Sequence, residues 1–471
     1  MTSSKIRVAY YVTGHGLGHA TRVAEVCRNL LILGHSVTVC TAAPEWVFRL
    51  DAEEKHQEHL KFRKVMLDYG AKQADALSVD MVGSLEEYLR TSVEPRESLI
   101  EAERAWLTQE VIEVVVSDVV PLACAAAEAA GIPSTCVSNF SWDFVYAEYL
   151  TAVGPGESKL RSIAWQIAED YSKAKILLRL PGYCPMPAFR DVMDTPLVVR
   201  KAKQTRMQVR AALGIPQDTP VVLYQFGGQE AAWKIDSSSL PEGWICLVAS
   251  TKSSTDPLPP NFIRAPVDAY TPDLVAASNC VLGKIGYGTT SESLAHHVPL
   301  VYVRRNFFNE EPFLRKLLEL HGCMVEMTRR DFFNGHWRPY LERALSLEPS
   351  FPLEQTDGGA MVARTIVQVA QGELHLRPQG QVRLRDAIVF GYEMARASSR
   401  GKLQWDALSD ALDSERLRSD HVPTWYIEGG TPSSQPPTSP QLPSASPLQS
   451  AGYWQIARGS GLWCAQLPDT K

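Results

Sequence analysis

The chain has 471 residues, 45% hydrophobic and 21% charged, the balance of an ordinary globular protein with room for two or three domains. Its formal net charge of −6 offers no basic surplus to nucleic acid or an anionic membrane, so the expected partner is a small molecule. No run reaches the roughly eighteen apolar residues of a membrane span, because the best stretch, 111–132, carries Glu113, Asp118 and Glu128. The nine cysteines form no C-x-x-C pair, and Ile6–Val12 is too short for a secretory signal; both point to reduced thiols and a cytoplasmic protein.

Ile6–Val12 is a continuous apolar run, the pattern of a strand buried on both faces. The glycine-rich turn Gly14-His15-Gly16-Leu17-Gly18-His19 follows. Val23, Val26, Cys27, Leu30 and Leu31 then recur at helical spacing up to Gly34, and 36–41 is apolar again. Strand, loop, helix and strand make a βαβ unit, which requires a parallel sheet. The pattern repeats with a strand over 111–117 ending at Asp118, an alanine-rich helix over 121–130 and a strand over 134–137. Val192–Lys203 reads as the connection between two lobes.

The second lobe alternates in the same way. A helix is expected over 205–213, with strands over 221–226, 244–249, 280–282 and 300–303. Thr271-Pro272-Asp273 predicts a helix start capped by Thr271, and a further helix is expected from Thr290 to His296. Leu384–Arg396 reads as a last amphipathic helix. From Thr431 to Ser450, twelve of twenty residues are Pro or Ser, a composition that cannot bury a core. The expected fold is α/β with two Rossmann-like lobes, 1–200 and 201–397, and a mostly disordered tail over 398–471. Trp454 and Trp463 have no role in that scheme.

Four stretches carry chemistry. In the first loop, Gly16 and Gly18 allow close approach of backbone to a ligand, and the following helix start favours anions. His19 at that start is the candidate base, with Asp118 as a neighbouring acid. A structural glycine turn is the plain alternative. The G-x-G-x-G spacing fails the dinucleotide fingerprint, and no third ligand joins His15 and His19, so no metal is expected. Gly227-Gly228-Gln229, after the 221–226 strand, is either a phosphate loop using Gly228 or a tight turn. The third stretch, Gly283 to Glu292, offers Lys284, Gly286, Gly288, Thr289 and Thr290 to a phosphate. Glu292, placed in the first helical turn, would serve ribose hydroxyls. Thr289 and Glu292 also have the spacing of a capping box. Last, Asn309 and Glu310 could hold sugar hydroxyls or merely open a solvated helix with Glu311.

This plan resembles the GT-B glycosyltransferases. A closer resemblance is to the amino-terminal half of the plant L-arabinokinase family. It is carried in order by 10–16 (YYVTGHG), 117–121 (SDVVP), 139–143 (NFSWD), 180–183 (LPGY), 283–288 (GKIGYG) and 308–312 (FNEEP), and covers about residues 5–395. It implies an interlobe cleft for a nucleotide sugar, UDP-linked, or a sugar phosphate, needing no cofactor, with His19 as base and Gly286, Thr289, Thr290 and Glu292 in the donor pocket. Asn309 and Glu310 stand where such transferases use an acid–Gln pair. The family's kinase activity belongs to a GHMP-type sugar kinase module, whose serine-rich phosphate loop has no counterpart in Gly459-Ser460-Gly461-Leu462-Trp463. Sugar phosphorylation is therefore not expected of this chain alone. The implied alternatives are glycosyl transfer, or a non-catalytic regulatory half of a truncated L-arabinokinase that partners a GHMP-type kinase domain.

Overall fold

The computed structural model describes residues 5–374, apart from 15, 50–53, 76, 155–156, 227–235, 250–256 and 267–268, together with the backbone of 455–459 and 462–466. The helix expected over 384–396 and the Pro/Ser-rich stretch lie outside the described residues.

The first lobe opens with β1 (Arg7–Val12), α1 (Leu17–Ile32), β2 (Ser36–Thr41), α2 (Trp46–Arg49) and β3 (Leu60–Lys64). A small hairpin, β4 (Gln73–Asp75) and β5 (Ser78–Val79), leads to α3 (Met81–Tyr88) and α4 (Arg96–Gln109). Then come β6 (Val114–Asp118), α5 (Pro121–Ala129), β7 (Ser134–Ser138), α6 (Trp142–Tyr149) and α7 (Ser158–Tyr171). The lobe closes with β8 (Ile176–Arg179) and β9 (Val192–Asp194). Its seven-stranded sheet has the order β3-β2-β1-β6-β7-β8-β9, and every pairing is parallel. β6 and β7 are buried at every position, as a sheet covered on both faces requires.

The second lobe begins with α8 (Arg206–Ala212), whose start is fixed by a capping box between Thr205 and Gln208. It continues with β10 (Val221–Gln225), β11 (Ile245–Val248), β12 (Phe262–Arg264) and α9 (Thr271–Ala277). β13 (Cys280–Gly283), α10 (Tyr287–His296), β14 (Leu300–Val303), α11 (Glu311–Leu320) and β15 (Met324–Met327) follow. The lobe ends in α12 (Arg329–Phe333), α13 (Arg338–Leu345) and α14 (Gly358–Gln371). Its six-stranded parallel sheet has the order β12-β11-β10-β13-β14-β15. Both sheets reverse direction of growth beside their first strand, between β1 and β6 and between β10 and β13. Open α/β sheets take ligands at that point, beyond the carboxyl ends of the strands.

The two-lobe α/β expectation is met, with local corrections. The stretch read as an interlobe connection starts as the edge strand β9, paired with β8. Val111 lies outside its expected strand, exposed and at φ +53°, because a helix-end turn occupies 108–111. α9 begins at Thr271 with Tyr270 as N-cap, so Thr271 does not cap it. Asp273 instead accepts hydrogen bonds from the backbone N–H groups of Lys203 and Gln204, tying the interlobe connection to α9. In the tail, β16 (Gln455–Gly459) pairs antiparallel with β17 (Leu462–Gln466).

Two of the ties between the lobes are made by α14 and by the β4–β5 hairpin. α14 crosses back and packs on α1, where a side chain at Gly359 would collide with Glu25 Cγ at 2.8 Å. The β4–β5 hairpin reaches the other way. Leu77, at 1% exposure, sits in the core of the second lobe beside Tyr224 and Met327. Its carbonyl accepts from Asn306 N–H at 2.8 Å and the Arg329 guanidinium at 2.6 Å.

Candidate active site between the lobes

The first lobe contributes the carboxyl ends of β1, β6 and β7. Gly16 is the N-cap of α1 at φ +73°, a left-handed conformation that glycine takes without strain. His19 is therefore the third residue of α1, and its Nδ1 lies 2.8 Å from Asp118 Oδ1. Arg22, one turn on, grips the same carboxylate with Nε to Oδ2 and Nη2 to Oδ1, both at 2.5 Å. Asp118 is fully buried. Burial alone would push its carboxyl up; the Arg22 guanidinium and then His19 outweigh this and hold it below the ordinary carboxylate range.

His19 Nδ1 meets two groups of opposite demand, Asp118 Oδ1 at 2.8 Å, which only accepts, and Arg22 Nη2 at 3.0 Å, which only donates; the shorter contact favours the tautomer with the proton on Nδ1. In that tautomer of the neutral ring Nε2 carries the lone pair, the form a general base needs. Asp118 itself, inaccessible and with both oxygens engaged, is placed to orient His19 rather than to meet an acceptor. The residue after it, Val119, has φ +55°, a strained value for a β-branched side chain. The Ser117 hydroxyl pins this turn by donating to Val120 O and accepting from Val120 N–H. Neither Val119's strain nor Arg22's role has a signal in the sequence pattern. His15 lies outside the described residues.

In the second lobe, a Cβ on Gly283 would meet Gln225 O at 2.1 Å, so this glycine serves sheet packing. Gly286 differs. Its φ of −162° suits any residue, and a Cβ there would meet no described atom within 4 Å. It caps α10, a ten-residue helix, without a side-chain hydrogen bond, the kind of helix start that suits an anion, although Gly288 N, one of its first N–H groups, lies close to Gly18 of the first lobe. Lys284 is half-buried beside it, and its amine is pushed down to about 7, first by burial and then by Arg305, against the pull of Glu310 and Glu311. Thr289 Oγ1 accepts a 3.5 Å bond from Gln225, and Thr290 Oγ1 is buried with no partner among the described residues. Gly228 lies outside the described residues.

The loops of the two lobes meet directly. A Cβ on Gly288 would lie 3.4 Å from Gly18 Cα, so both glycines form the lobe contact next to His19. The Arg22 guanidinium lies 4.9 Å from the centre of the Tyr287 ring. The helix expected from Thr290 begins at Tyr287, so Thr289 and Glu292 form no capping box and Glu292 falls in the second turn, not the first. Glu292 Oε1 is taken by Arg200 at 2.9 Å, both side chains being buried.

Asn309, Glu310 and Glu311 do not form a solvated helix start; all three are buried. Asn309 donates to Phe144 O in the first lobe at 2.9 Å. Glu310 accepts from Asn139 at 2.8 Å, and Asn139 accepts from Arg22 at 2.6 Å. Arg305 lies 3.6 Å from Glu310 and 3.3 Å from Glu311. The Glu311 carboxyl is pushed up to about 7 by burial, which Arg305 offsets only in part. Alternating charge thus runs from Asp118 through Arg22 and Asn139 to Glu310, Arg305 and Glu311, crossing between the lobes.

Comparison with known proteins agrees with this architecture. No protein-family model matches the chain. L-arabinokinase of Arabidopsis thaliana is 55% identical over 402 residues, 85% of this chain but 38% of that protein. Among solved structures, the glycosyltransferase of kitacinnamycin superposes with TM-score 0.53 at 16% identity, covering 79% of this chain and 98% of the other. The glycosyltransferase VinC, solved in complex with dTDP, gives 0.50 at 13% identity, covering 78% and 100%. At such identities the likeness shows the fold. Among the described residues no helix is long and apolar enough to cross a membrane. In sequence and fold, this chain matches the amino-terminal, GT-B glycosyltransferase-like part of plant L-arabinokinase.

Proposed function

We propose that the interlobe cleft binds a sugar bearing phosphate, as a nucleotide sugar or a sugar phosphate, and positions it for metal-independent glycosyl transfer. The pairing of His19 Nδ1 with Asp118 at 2.8 Å carries this reading, because it favours the tautomer in which Nε2 is the base, one residue from the lobe contact at Gly18 and Gly288. In the reaction, an acceptor hydroxyl gives its proton to His19 Nε2 as its oxygen bonds to the anomeric carbon. The bond from that carbon to the phosphate oxygen breaks, and the departing phosphate keeps the electron pair. The uncapped start of α10 and the Lys284 amine receive its charge, while Asp118 stabilises the imidazolium through Nδ1–H. The buried free thiols fit a cytoplasmic setting.

Binding without transfer is the second reading, and a separate observation favours it. Asn309 and Glu310 are spent on Phe144 and Asn139, and Glu292 on Arg200. The chain would then be a ligand-sensing half serving a GHMP-type sugar kinase partner, in keeping with the 38% of L-arabinokinase that it spans. Incubation with UDP-sugars and free sugar acceptors, followed by product chromatography, separates the two. Transfer that His19→Gln reduces by roughly 10²–10⁴-fold supports the first; binding with no turnover in any acceptor supports the second and rules out the first.

A further inference from the structure

The start of α11 is seated on the first lobe. Asn309 donates to Phe144 O at 2.9 Å, and the Phe313 ring meets Phe144 edge-on with centroids 5.9 Å apart. A Cβ on Gly182 would lie 2.8 Å from Leu314 Cδ2. These contacts deliver Glu310, the N-cap residue of α11, to Asn139 just beyond β7. Both side chains are buried. The amide between Glu310 and Arg22 has one sense that suits both neighbours, because a carboxylate only accepts and a guanidinium only donates. Asn139 turns its NH2 to Glu310 Oε1 at 2.8 Å and its Oδ1 to Arg22 Nη1 at 2.6 Å.

Arg22 is therefore held at two ends, by Asn139 through Nη1 and by Asp118 through Nε and Nη2. Its Nη2 also lies 3.0 Å from His19 Nδ1 and 3.3 Å from Ser138 Oγ, a hydroxyl that donates to Phe140 O and can accept. With one Nη2 proton on Asp118, the other has a choice. Directed to Ser138, it leaves His19 Nδ1 to donate to Asp118. Directed to His19, it takes the Nδ1 lone pair and puts the ring proton on Nε2. The hold on Arg22 thus bears on which nitrogen of His19 can act as a base. Without the acceptor at Glu310, the Asn139 amide can turn and set its NH2 against Nη1, donor to donor. The guanidinium then leans toward His19 Nδ1.

We infer that Glu310 of the second lobe is a positioning residue for His19, acting through Asn139 and Arg22, so that seating α11 on the first lobe sets the Nδ1–H tautomer. This rests on His19 as the base of the proposed reaction. The test is proton–nitrogen correlation NMR of the full chain, its histidines nitrogen-labelled, at about pH 8.5, above the ordinary histidine range. His19→Gln assigns the resonances. Wild type should show a protonated Nδ1 and an unprotonated Nε2. Two variants separate contact from charge. Glu310→Asp keeps the charge but withdraws the carboxylate by one methylene; it should lower the ratio of the Nδ1–H to the Nε2–H form roughly tenfold, as loss of one buried hydrogen bond allows. Glu310→Gln loses the charge but keeps an acceptor for Asn139, so its ratio should stay within about twofold of wild type. Asn139→Ala cuts the contacts nearer the base and replaces Glu310→Asp, with the same expectation, if that variant does not fold. If neither folds, the wild-type and Glu310→Gln spectra decide. An Nε2–H ring in wild type, an unchanged ratio in Glu310→Asp, or a Glu310→Gln ratio that falls as far overturns the inference. The readout needs neither ligand nor turnover, so a chain that transfers no sugar overturns the proposed reaction and leaves this coupling standing.

Discussion

Arg22 and Asp118 form a buried unit whose worth a double-mutant cycle can measure. Arg22→Met leaves the Asp118 carboxylate fully buried with His19 as its remaining side-chain partner among the described residues, and Asp118→Asn leaves the guanidinium, 3% exposed, without its anion. Breaking a buried pair by removing one partner costs about 3–5 kcal/mol, whereas replacing both by neutral groups removes the stranded charge. Each single variant should therefore lose about 3–5 kcal/mol, and the double variant should lose less than their sum by about 2–3 kcal/mol. Urea unfolding at pH 7, followed by tryptophan fluorescence, reads these differences. Because the folded Asp118 pKa is depressed, its contribution is complete above the unfolded value of about 3.9 and is lost as pH falls through the lower folded value. The advantage of wild type over Asp118→Asn should thus stay level from about pH 7 to 5 and shrink below about pH 4. Strict additivity in the double variant, or an advantage that shrinks already between pH 7 and 5, would refute the paired-charge description.

Three further outcomes are expected. Leu77→Ala removes a first-lobe side chain from the second-lobe core, so it should cost about 2–5 kcal/mol and raise the radius of gyration in X-ray scattering; unchanged stability would mean the hairpin does not latch the lobes. The Lys284 amine titrates near 7 when folded, so the unfolded chain binds more protons between there and about pH 10.4 and stability should rise across that window; Lys284→Met should flatten this rise in urea midpoints measured from pH 7 to 9, and an unchanged slope would contradict the burial argument. Phe307 is half exposed at φ +59°, and Asn tolerates that conformation, so Phe307→Asn should raise stability by about 1 kcal/mol in the same assay. A loss of that size would show that the phenyl ring makes a contact worth more than the strain.

The sheets were legible because strands buried on both faces are continuous apolar runs, as at Val114–Asp118 and Val221–Gln225, and glycine loops mark their carboxyl ends. His19, Lys284 and Gly286 could be singled out for the same reason: they sit where a parallel strand meets a helix. Helix starts were less legible where glycine or tyrosine serves as N-cap, since Gly286 and Tyr270 give no side-chain capping signal. The partners of the site residues were hidden by distance along the chain. Arg22 meets Asp118 across 96 residues, Glu292 meets Arg200 across 92, and Asn139 meets Glu310 across 171. Nothing local in a polar residue tells whether it will face a ligand or bind its own protein, and Asn309 and Glu310, expected to hold sugar, are bound by the opposite lobe. Leu77 was missed because its hairpin has only three- and two-residue strands, too short for any periodicity.

The proposed function puts a phosphate-bearing sugar at the uncapped start of α10. Calorimetric titration of the wild-type chain and of Gly286→Trp with sugar 1-phosphates and UDP-sugars tests it most directly. Saturable binding of at least one of these ligands to wild type is expected, and its loss in Gly286→Trp, whose indole fills the space beside the helix start while the thermal unfolding profile is retained. No binding to wild type at millimolar concentration, or equal binding to a folded Gly286→Trp, would contradict it.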